Sequence, residues 1–127
     1  MSRRVIATEG APKAVAAYSQ GILAEGKFLF VAGQVGLDPE SGQLTTGLEG
    51  QTRQALLNLQ AIVEAAGAAL QDVVKVTVLL HDINDFGAMN KVYAEFFTEN
   101  PPARAAFSGL DLPLGALVEI ECIALVP

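Results

Sequence analysis

The sequence predicts an α+β fold: a mixed β-sheet with two helices on one face. Three observations carry it. Two long stretches repeat apolar residues at helical spacing, β-branched or alternating runs lie before, between and after them, and turn residues mark the joins. The resulting order is ββ(α)β(α)ββ. A chain of 127 residues is one domain, 1–127, with no internal repeat or linker. At 51% hydrophobic and 17% charged it is too apolar for disorder, and this length buries roughly two-thirds of the unfolded surface without a disulfide.

Each element has its own signal along the chain. Ser19–Ala24 and Phe28–Gly33 read as strands, and Glu25-Gly26-Lys27 between them reads as a hairpin connection. Asp38-Pro39-Glu40-Ser41-Gly42 is turn chemistry throughout. The first helix runs from about Gly47 to Ala66, with Ala55, Leu59, Ile62 and Ala66 on one stripe and Leu56 and Val63 widening it. Gly67 is placed to end it. Val73–Leu80 is β-branched and too short for a helix. Asp82 or Asn84 caps a second helix carrying Phe86, Met89, Tyr93, Phe96 and Phe97, and Asn100-Pro101-Pro102 stops it. Ala103–Gly109 and Leu117–Val126 are the last strands, with a turn at Pro113-Leu114-Gly115. Two helices cover one sheet face only, so the other face calls for a partner, and an oligomer is expected.

Charge and composition narrow the function. Fourteen acidic against eight basic residues leave −6, the wrong sign for a phosphate-backbone binder. No apolar run approaches the ~18–20 residues of a spanning helix. Met1-Ser2-Arg3-Arg4 has the look of a signal n-region, but Glu9, Pro12 and Lys13 interrupt any apolar run after it. A single cysteine, Cys122, suits a reducing compartment. A cytoplasmic protein with neither nucleic-acid nor membrane partner is expected. One histidine, His81, and no paired-cysteine spacing leave no metal motif, and glycine-rich phosphate loops and nucleophile elbows are missing too. Catalysis, if any, falls to arginine, carboxylates, tyrosine and backbone groups.

Arg104 stands out. It enters a strand directly after Pro101-Pro102, amid small apolar neighbours, where an unpaired charge is expensive. Its planar fork suits bidentate capture of a carboxylate, and a structural ion pair with one of the acids is the other reading. Glu119 and Glu121 alternate with Val118, Ile120, Cys122 and Ala124, so both share the face opposite the apolar set. They make either a solvated face or, at a partly buried glutamate, a group that handles water or a proton.

Pro102-Ala103-Arg104-Ala105 followed by Leu117-Val118-Glu119-Ile120-Glu121 resembles the signature of the RidA/YjgF (reactive intermediate deaminase A; liver perchloric-acid-soluble protein) family. Ala11-Pro12, Tyr18-Ser19-Gln20-Gly21, Val31-Ala32-Gly33-Gln34, Asp38 to Gly42, and Asn84-Asp85-Phe86 with Asn90 and Tyr93 agree, in order, over essentially the whole chain. The resemblance implies a chorismate-mutase-like fold assembled as a homotrimer with clefts between subunits. It also implies a cofactor-free enamine/imine deaminase that hydrolyses 2-aminoacrylate and 2-imino acids to 2-keto acids and ammonia. Arg104, Glu119 and Tyr18 match its catalytic positions, as carboxylate clamp, water-handling acid and cleft wall. Gly33, Asn90, Ala106 and Phe86 match substrate-binding positions, although Phe86 also lies on the helix stripe and reads as core. Ala32 and Ala106 depart from the serine and cysteine common in the family, which bears on substrate range and removes thiol chemistry. The alternatives are a binding or sensing module for keto or amino acids, and the endoribonuclease or translation-inhibitor activity of some relatives.

Overall fold

The computed structural model describes residues 2–127. Six strands and two helices form in the order β1 (Arg3–Ile6), β2 (Gly21–Ala24), β3 (Lys27–Val35), α1 (Gly47–Ala65), β4 (Val73–Leu80), α2 (Phe86–Phe96), β5 (Ala103–Phe107) and β6 (Val118–Val126). The main sheet runs β3-β6-β4-β5 and is mixed: β4 and β5 are parallel, the other pairs antiparallel. A parallel neighbour needs a crossover, and α2 supplies it.

The expected hairpin does not form. β2 pairs antiparallel with β1, a strand the sequence pattern does not announce, while β3 pairs with β6. Gly26, at φ 134°, turns the chain from one sheet to the other rather than back along the same ladder. Four residues, Arg3–Ile6, carry too little period-two pattern to mark a strand; its place is held by long-range bonds. The Arg3 guanidinium donates to the carbonyls of Val73 and Asn100, up to 97 residues away.

The helical stripe also differs from its expected line. Thr52, Ala55, Leu56, Leu59 and Val63 are buried, whereas Ile62 keeps 37% of its surface and Ala66 lies past the helix end. The start of α1 lies close against the preceding chain. A Cβ on Gly36, just beyond β3, would meet Gln51 Cα at 2.6 Å, so the chain after β3 presses on the start of α1. The Gln51 side chain meanwhile accepts the Leu117 N–H at 2.8 Å and ties the entry of β6 to the helix.

Other elements match their readings within a residue or two. Asp38 Oδ1 accepts the Glu40 N–H at 2.8 Å and Gly42 takes φ 71°. Asp82 caps the single turn Ile83–Asp85 by accepting the Asn84 N–H, and α2 begins directly after it. β5 ends at Phe107, two residues short of the expected Gly109. Leu114 takes φ 61° within the Pro113–Gly115 turn.

On β6, Val118, Ile120, Cys122 and Ala124 are buried against the helices, and Glu119 and Glu121 point to the other face. The strand parity read from sequence holds. That other face is only partly covered: Phe30 remains 75% exposed and Phe107 55%.

Candidate active site

Arg104 sits on β5 beside Val76 of β4, which in turn pairs with Cys122 of β6. Laterally paired residues share a face, so Arg104 points to the helix side of the sheet. There it meets three aromatic rings. Its Cζ lies 4.8 Å from the centroid of Tyr93, 5.6 Å from Tyr18 and 5.8 Å from Phe86. Guanidinium planes are weakly hydrated and settle against ring faces.

Separate sequence devices deliver each wall. α2 ends at Phe96, short of the expected stop at Asn100-Pro101-Pro102, and β5 starts directly after the two prolines with Arg104 as its second residue. The Ser19 hydroxyl donates to the Pro101 carbonyl and the Ser19 N–H to the Pro102 carbonyl at 3.1 Å. This parallel bridge sets Tyr18 alongside the start of β5. Phe86, Asn90 and Tyr93 succeed one another at intervals of four and three along α2 and so share a stripe. Phe86 packs partly on the core, as its place on the helix stripe implies, and its ring also lies beside the guanidinium.

Arg104 has no ion pair among the described residues; the pairs formed there are Arg53 with Glu95 and His81 with Asp111. The structural ion pair left open by the sequence is therefore not made. Burial pulls the guanidinium below its ordinary pKa, opposed by the nearby Tyr93 and Tyr18 hydroxyls. Its Nη1 is buried without a hydrogen-bond partner, as are Asn90 Oδ1 and the Tyr93 hydroxyl. A half-buried cation without a counter-ion and unmet buried polar groups thus lie together among aromatic rings, an arrangement that protein interiors seldom leave unanswered. Ala106, two residues along β5, points to the same side and packs against the core.

Glu119 is elsewhere. It pairs with Leu79 of β4 and Val35 of β3 on the face away from the helices. Gly33 belongs with it: a Cβ there would come within 2.8 Å of Glu119 Cδ. The seven residues singled out from sequence thus fall into two groups. Arg104, Tyr18, Phe86, Asn90 and Ala106 lie on one side of the sheet, Glu119 and Gly33 on the other. Within one chain the two groups do not meet. Tyr93 reads as core in the sequence; its phenol, three positions from Asn90 on the same stripe, is the one signal there of a second role.

Among the described residues, no group of three or more His, Cys, Asp and Glu side chains is placed to hold a metal ion, and no helix is long and apolar enough to cross a membrane. Burial pushes the Cys122 thiol up to about 12, far from a nucleophile's range.

Fold and side-chain placement define a class: a small α+β domain with an arginine on one sheet face that no acid among the described residues pairs, and a glutamate beside a glycine on the other. Residues 8–126 match the family model described as Endoribonuclease L-PSP, and the chain belongs to that family, the RidA/YjgF family it resembles in sequence. It is 54% identical over 123 residues to a RutC family protein of Pyrococcus horikoshii, covering 96% of this chain and 97% of that one. It is 50% identical over 123 residues to a rat protein named 2-iminobutanoate/2-iminopropanoate deaminase, covering 96% and 89%. The crystal structure of RidA from an Antarctic Psychrobacter superposes with TM-score 0.77 at 43% identity, covering 97% of this chain and 99% of that one.

Proposed function

We propose that this chain is an imine/enamine deaminase, hydrolysing 2-imino acids such as 2-iminobutanoate and 2-iminopropanoate to 2-keto acids and ammonia. The observation that carries the reading is Arg104, a half-buried guanidinium with no carboxylate partner among the described residues and three aromatic rings around it. Relatives named for this activity at about half identity support it.

Arg104 holds the substrate carboxylate as a two-pronged pair. Water attacks the imine carbon, and Glu119 takes one of its protons as the C–O bond forms. That proton passes to the imine nitrogen to give the neutral carbinolamine. Glu119 then takes the hydroxyl proton as the C=O bond forms and delivers it to the amine as the C–N bond breaks, and ammonia and the keto acid leave. Positioning supplies several kcal/mol toward a reaction already proceeding slowly in water. The steps call on no cofactor.

Because Arg104 and Glu119 face opposite sides of one sheet, the reaction requires Glu119 from a second copy. A homotrimer with three clefts satisfies this, its centre covering Phe30 and the rest of the open sheet face. A cytoplasmic setting, where pyridoxal-dependent dehydratases release such imines, belongs to the same reading. Net charge −6 and a single histidine give an RNA-cleaving alternative little to work with.

The test feeds the chain imine generated in situ by an amino-acid dehydratase and tracks keto acid and ammonia. Release well above the spontaneous rate is expected; release at the spontaneous rate overturns the proposal. Light scattering at micromolar concentration reads the assembly, and a monomer that still turns over would overturn the shared site.

A further inference from the structure

Asn90 Oδ1, the Tyr93 hydroxyl and Arg104 Nη1 are all buried and unbonded. They share one neighbourhood, since Asn90 and Tyr93 lie on one stripe of α2 and the Tyr93 ring is the nearest to Arg104. Buried polar groups are nearly always bonded, so three together call for an account. Their chemistry is complementary. The guanidinium nitrogen only donates, the amide oxygen only accepts, and a phenol does both.

We propose that Tyr93 is a positioning residue: with a carboxylate in the pocket, its hydroxyl accepts from Arg104 Nη1 and donates to Asn90 Oδ1. One end of the guanidinium is thereby anchored, and the remaining edge is presented to the substrate carboxylate. The inference rests on the carboxylate-binding role proposed for Arg104. The hydroxyl suits the task because its ring is fully buried and packs against Phe97 at a tilt of 33°, with centroids 4.7 Å apart. A purely packing ring at this position has no need of the hydroxyl, whose burial is unfavourable. Burial also raises its pKa, the Arg104 charge opposing, so the phenol keeps the proton it must donate.

The test uses 2-oxobutanoate, the keto-acid product of 2-iminobutanoate, with full-length wild type, Tyr93→Phe, Asn90→Ala and the double variant. Each single change should weaken 2-oxobutanoate binding and raise KM by about tenfold, as for one hydrogen bond to a charged group. kcat should hold within about twofold, because the reacting atoms are untouched. The double variant should be no worse than either single, since breaking one link idles the other. Wild-type binding by Tyr93→Phe, or losses that multiply in the double, overturns the relay. Should Tyr93→Phe not fold, the wild type carries the test. With two tyrosines in the chain, the ¹³Cζ resonance of Tyr93 is readily assigned, and it must move on saturation with 2-oxobutanoate; an unmoved resonance overturns the proposal. Wild type that binds 2-oxobutanoate but releases no ammonia from imine sinks the deaminase reading alone, whereas wild type that binds none sinks both.

Discussion

Gly33 leaves room for the Glu119 carboxylate: a Cβ on the glycine would meet Glu119 Cδ at 2.8 Å and lie closer still to Oε2. The two residues sit on neighbouring strands, β3 and β6, on the sheet face away from the helices. Glycine is required here by close approach and not by backbone angle, since Gly33 does not take a positive φ.

Gly33→Ala should therefore act on the carboxylate and spare the fold. The atoms in the way are the free end of a flexible side chain, so the glutamate moves while the ladder stays. Ammonia release should fall severalfold with the melting temperature nearly unchanged. Equal activity would detach Glu119 from the chemistry.

Glu119→Gln keeps shape and removes the base, and its effect should be a loss of turnover of about 10²–10⁴-fold with 2-oxobutanoate binding retained. Glu121→Gln is the control, because Glu121 lies on the same face but is exposed. Loss in the control and none at Glu119 would shift the site by one strand repeat.

Arg104→Lys should keep the fold and lose most activity, for an ammonium lacks the planar fork. Arg104→Met should go further in two directions. Carboxylate binding disappears, while the unliganded protein gains on the order of 1 kcal/mol, because a buried unbonded nitrogen is removed. Thermal melts without ligand read the gain; a lower melting temperature would return Arg104 to a structural role.

Cys122 sets an alkaline limit. Its folded thiol lies near 12 against an ordinary 9.0, raised chiefly by burial and secondarily by Glu121. The thiol is neutral in both states below about 9, and above that the unfolded chain loses its proton first. Stability is thus fully present below pH 9 and declines between about 9 and 12. Cys122→Ala should flatten that decline in denaturant titrations and leave deaminase activity intact. Slow alkylation of the native thiol at pH 8 is the companion measurement.

Local pattern determined more of this protein than its site. Period-two alternation assigned Val118, Ile120, Cys122 and Ala124 to the buried face and Glu119 and Glu121 to the other, as found, and the prolines at 101 and 102 placed Arg104 at the head of a strand. Strand pairing escaped it. A four-residue strand such as Arg3–Ile6 has no period to read, and whether Gly26 reverses a hairpin or switches sheets depends on which distant strand offers free N–H and C=O groups. The rotation of α1, which buried Val63 and left Ile62 37% exposed, was settled by tertiary packing against the sheet and α2. The separation of Arg104 from Glu119 was likewise a tertiary decision. Parity states which residues of one strand share a face, but only the register of β5 on β4 and β4 on β6 states which face of another strand lies beside it. The sequence by itself determined the family and the fold class; lateral hydrogen bonding between remote strands decided which of its candidate residues can meet within one chain.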